Sequence, residues 1–152
     1  MTFNVGSRLS IAVFLLGIMA STATAQQDDP RLVAIGGLAG SHIYTTYGYI
    51  GTVADLFAYE KYDTKRVQDL MKEVVSMADV GIKQLHKVRE TNIGESDKKV
   101  LDDMVVIYGL LQQEANALSD YSVSKSKEHL DAFNKARTDA WPKIKAVLGI
   151  KD

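Results

Sequence analysis

From residue 65 to residue 148 the apolar residues recur every three or four positions, and strict apolar–polar alternation is absent. That spacing puts one apolar stripe along a helix and gives a sheet no consistent inner face. The stretch 65–90 shows it clearly. Val67, Leu70, Met71, Val74, Ala78, Gly81, Ile82, Leu85 and Val88 share one side, and Asp69, Lys72, Glu73, Ser76, Lys83 and Lys87 share the other. Val100, Leu101, Met104, Ile107, Tyr108, Leu111, Ala115 and Leu118 form a second stripe. Leu130, Phe133, Ala136, Ala140, Trp141, Ile144, Val147 and Leu148 form a third.

The chain has only two prolines, and its breaks divide it into four rods. Asp29-Pro30 reads as a helix start, an acceptor at the cap followed by proline at the first helical position. Helix 1 is expected over about 31–61, with Asp63 or Thr64 capping helix 2 over about 65–90. Asn92-Ile93-Gly94 reads as a helix stop, with Gly94 available for positive φ. Ser96 is the expected cap of helix 3, about 97–119, and Asp120-Tyr121-Ser122 the expected turn into helix 4, about 124–148. Pro142 is expected to kink or restart that last helix. Similar lengths and short connections predict an all-α, antiparallel up-down-up-down four-helix bundle.

The bundle is expected to occupy residues 26–152, behind a leader. Arg8 is the only charge before the apolar run Ile11–Ala20, and Ala23-Thr24-Ala25 supplies small residues in a small-x-small pattern. These are the parts of a secretory signal peptide cleaved after Ala25, residues 1–25. The apolar run is about half the roughly 20 residues a spanning helix needs, so no integral membrane segment is expected after cleavage. The expected location is the periplasm or the medium. The absence of cysteine, and of any Asn-x-Ser/Thr site, favours bacterial export over eukaryotic secretion. Without disulfides the core alone must hold the fold. A net charge of −1 with no basic stripe argues against nucleic-acid binding.

Helix 1 departs from the pattern. Its expected core face carries Ile35, Leu38, Ala39, Ile43, Tyr49, Ile50, Val53, Leu56 and Phe57. Its opposite face carries Gly36, Gly37, Gly40, Tyr44, Tyr47, Gly51, Ala54, Ala58 and Tyr62, where a solvated helix would carry Lys and Glu. Small residues admit another backbone, and tyrosine offers large contact area at low entropic cost. The face reads as a docking surface for a protein partner or a homo-oligomer, or else as a strip covered by neighbouring helices.

Polar residues on apolar faces give the remaining candidates. His42, His86 and Met104 fall at similar heights along a common bundle axis, so a metal site for copper or a b-type haem is the alternative function. Arg137, set among Leu130, Phe133 and Ala140, requires an acid or a bound anion if enclosed. With His42 and Tyr49 it makes a candidate site for a small acidic ligand. Signs of catalysis are lacking. Gly36-Gly37-Leu38-Ala39-Gly40 is not followed by Gly-Lys-Ser/Thr, and no His-Glu-x-x-His or Glu-x-x-His motif occurs. The expectation is an exported helical-bundle binding protein that is not an enzyme.

Overall fold

Asp29 opens the first helix by accepting from the backbone N–H of Arg31, with Pro30 at the first helical position. The computed structural model describes residues 29–151, so the expected leader lies outside the described residues. Among the described residues there are four helices and no strand: α1 (Pro30–Ala58), α2 (Thr64–Arg89), α3 (Glu95–Ser124) and α4 (Lys127–Leu148). None is long and apolar enough to cross a membrane.

Local chemistry sets most of the ends. Asp63 caps α2 through the N–H of Arg66. Ser126 caps α4 through the N–H of His129, and Gly149 closes that helix at φ 66°. The first turn of α3 departs from expectation. Gly94, not Ser96, is its N-cap, at φ −64°, so no positive φ is used there. The end of α3 also moves. Asp120-Tyr121-Ser122 remains helical, and the chain turns only at Lys125, at φ 55°. Tertiary contacts override the weak helical preference of Asp and Ser. Ser122 is buried, its hydroxyl donates to the Ser119 carbonyl, and its own carbonyl accepts from Thr64. Tyr121 meets Phe57 edge-on at 6.3 Å. α4 continues through Pro142 as one helix and does not restart there.

Pairs of touching residues give the directions. Arg89 meets Asp102, Gln112 meets Asp79 and Thr64 meets Ser122, so α2 and α3 run antiparallel. Glu114 meets Arg137 near mid-helix and Ser124 meets His129 at the turn, so α3 and α4 do the same. His42 meets Tyr108 and Phe57 meets Tyr121, which puts α1 parallel to α3. α3 is thus the central rod, with α2 and α4 on either side and α1 laid mainly over α3.

The core follows from that placement. Ile107, Leu111, Ala115 and Leu118 of α3 meet Val67, Met71, Val74 and Ala78 of α2 and Ala140 and Ile144 of α4. On α1 the buried line is Gly40, Ile43, Thr46, Ile50, Val53 and Phe57. It is narrower than the expected face, and Leu38 and Tyr49 fall outside it, at 74% and 41% exposure. α1 rests chiefly on α3 and touches α2 and α4 less, so the flanks of its expected face stay exposed.

Candidate functional site

Two polar clusters lie at the α1 interfaces, on opposite sides of the helix. The first is on the α4 side. Glu114 occupies a seam position between Leu111 and Leu118, where an apolar residue is the rule, and it is fully buried. Arg137 donates from Nη1 to Glu114 Oε1 at 2.6 Å and to the Tyr47 carbonyl at 3.1 Å. Its guanidinium lies 4.0 Å from the centre of the Tyr47 ring. Glu114 Oε2 has no hydrogen-bond partner. Burial therefore dominates and pushes the carboxyl up to about 7, against the lowering effect of the Arg137 hydrogen bond. The acid that an enclosed Arg137 requires is thus an internal one.

The Gly/Tyr strip of α1 runs past this cluster. A Cβ added at Gly51 would come within 2.7 Å of Arg137 Nη2, and one at Gly40 within 2.6 Å of Leu148 Cδ2. Tyr47 stacks on Trp141 at 5.4 Å, and Tyr44 lies 6.4 Å from the same ring. Much of the strip is therefore the seam between α1 and α4, where missing side chains admit Arg137 and Leu148. Ala54 and Tyr62 are partly buried against the core. Its outer parts stay open: a Cβ added at Gly36 or Gly37 would meet no atom within 4 Å, and Tyr44 and Ala58 are exposed.

The second cluster faces α2. Tyr108 Oη and His42 Nδ1 share a hydrogen bond of 2.8 Å. Burial pushes the phenol up to about 12, so it stays protonated at neutral pH. Gly81 makes room for this ring: a Cβ there would meet Tyr108 Cζ at 2.9 Å. Above the pair, α1 and α2 leave a groove of about 480 Å³ walled by Ile35, Leu38, Ala39, Met77, Val80, Leu85 and Val88. Three of these are largely exposed: Leu38 at 74%, Met77 at 54% and Val80 at 51%. Beside it lies a second cavity of about 460 Å³ that shares Ile35, Gln84 and Val88 and adds Asp29, Arg31, Lys87, Thr91 and Asn92.

The proposed ligand sets are dispersed by this arrangement. His42 lies opposite Gly81, whereas His86 is five residues further along α2, about 7 Å in rise, and solvent-exposed. His86 lies near Asp102, whose carboxyl is held low chiefly by the Arg89 hydrogen bond and in smaller part by His86. Met104 is buried in the core. Among the described residues no group of three His, Cys, Asp or Glu side chains is placed to hold a metal ion. Arg137 and His42 belong to separate clusters, and Tyr49 is exposed. Glu114 was missed from the sequence although it breaks the series Ile107, Leu111, Leu118, a signal available there. The groove left no such signal.

Comparisons with protein-family models, with curated proteins and with solved structures find no match.

Proposed function

We propose that this chain is an exported, non-catalytic binding protein, cleaved after Ala25, that holds a small, largely apolar molecule between α1 and α2. The observation that carries this reading is the exposure of Leu38, Met77 and Val80 around one groove of about 480 Å³. A ligand pocket is typically a concave, mainly apolar space of roughly 300–1,000 Å³ with few polar groups. Here the polar groups at the floor, His42 and Tyr108, are bonded to each other and need no water. Clustered exposed apolar side chains favour an occupant, whereas scattered ones do not.

The test is binding of a neutral fluorescent apolar probe, N-phenyl-1-naphthylamine, to the protein purified after export. Leu38 is mostly exposed, so Leu38→Asp leaves the core intact. It is expected to weaken probe binding about tenfold, the effect of losing one apolar wall contact worth about 1.5 kcal/mol. Equal binding by both proteins refutes the groove as the site. N-terminal sequencing of the same preparation tests export, with Gln26 the expected first residue.

The open part of the Gly/Tyr strip supports a second reading, contact with another copy of the chain. Val33 is 60% exposed and Tyr44 52% exposed, and a Cβ added at Gly36 or Gly37 would find open space. Light scattering at rising concentration tests it, and a strict monomer rejects it.

A further inference from the structure

The two cavities between the first turns of α1 and the last turns of α2 adjoin along one trough. They share Ile35, Gln84 and Val88. On the inner side the walls are Leu38, Met77 and Val80. On the outer side Leu32 and Ile93 are joined by the polar Asp29, Arg31, Lys87 and Asn92. Charge at the outer end is not balanced. Asp29 accepts from Arg31 through both carboxylate oxygens, at 3.1 and 2.8 Å, and so that pair is internally matched. Lys87 has no ion-pair partner among the described residues, and it adds a positive charge to the mouth. Arg89, in the last turn of α2, is paired with Asp102, so among the described residues Lys87 alone gives the mouth its excess positive charge. From Met77 to Val88 the apolar wall extends about 16 Å along the helix, the length of a medium acyl chain and too short for a spanning lipid pair.

We infer that the trough binds a single-chain anionic amphiphile, its acyl tail along Leu38, Met77 and Val80 and its carboxylate at Lys87. This rests on the groove reading above and names the class of ligand. The tail supplies the affinity, since each methylene buried removes apolar surface from water. The head supplies orientation and selectivity, since a partly exposed ion pair adds little.

The experiment is displacement of N-phenyl-1-naphthylamine from the exported protein by dodecanoate, dodecanol and dodecyltrimethylammonium, each below its micelle-forming concentration. Dodecanoate is expected to displace at about fivefold lower concentration than dodecanol, the fold-change given by about 1 kcal/mol of charge pairing. The ammonium compound is expected to be the weakest of the three. Lys87→Glu is expected to invert the order of carboxylate and ammonium, since it reverses the charge at the mouth. Raising the salt to 1 M is expected to merge the curves of dodecanoate and dodecanol, apart from solubility effects common to both proteins. Equal displacement by all three amphiphiles, or an order unchanged by Lys87→Glu, overturns the head-group assignment while leaving the groove reading intact. Failure of the probe to bind at all overturns both. A dimer that Leu38→Asp dissociates assigns the trough to a second copy and overturns the amphiphile.

Discussion

Replacing Glu114 by Gln tests the buried ion pair through the pH dependence of stability. The carboxyl is fully buried, one of its oxygens lacks a donor, and burial pushes it up to about 7 from an ordinary 4.5. Between those two pH values the folded chain holds a proton that the unfolded chain has released. Stability must therefore fall as pH rises through about 4.5 to 7, and the loss is complete above 7. Each pH unit of that interval is worth about 1.4 kcal/mol, so the total is about 3 kcal/mol. All other ionisable groups are common to parent and variant and cancel in the difference. Gln cannot ionise, so the variant lacks this slope. Its loss of the charge-assisted bond to Arg137 adds an offset that is nearly constant where Glu114 is protonated. Urea unfolding at pH 4.5, 5.5, 6.5 and 7.5 measures the difference. With slopes of about 1–3 kcal/mol/M, the relative midpoint of the variant should rise by about 1–3 M across the series. A difference flat to within about 0.5 kcal/mol would refute the claim that burial outweighs Arg137 at this carboxyl.

Other outcomes separate seam glycines from open ones. Gly51→Leu should destabilise by about 1–3 kcal/mol in thermal unfolding, because its Cβ meets the guanidinium that Glu114 holds. Gly37→Ala should stabilise by about 0.5–1 kcal/mol, since nothing lies within 4 Å and helix propensity alone decides. Asp63→Ala should cost about 1 kcal/mol in urea unfolding by removing the α2 cap. Lys135→Ala should change stability by less than about 0.5 kcal/mol, because its i,i+4 pair with Asp139 is exposed.

What could be read in advance depended on how local the cause was. Asp29, Asp63 and Gly149 act on backbone groups within a few residues, so the sequence located the ends they form to within a few positions. The stripes of α2, α3 and α4 recur at helical spacing, and their members fill the core. The exceptions mark tertiary control. Asp120, Tyr121 and Ser122 have the composition of a turn, yet Phe57 and Thr64 hold them in the helix. Val100 continues the α3 stripe by spacing but is 46% exposed, at the rim of a seam that buries its neighbour Leu101.

The sequence by itself determined that this polypeptide makes helices, roughly where they stop, and which side of three of them turns inward, because hydrogen bonding and periodic burial are properties of neighbouring residues. The tertiary structure decided that α1 lies mainly over α3, with smaller and equal contact to α2 and α4. That placement turned part of the Gly/Tyr strip into a seam for Arg137 and Leu148, and left Leu38, Met77 and Val80 uncovered. Where one rod settles on three others depends on side-chain volumes summed across all four, and no window of sequence contains that sum.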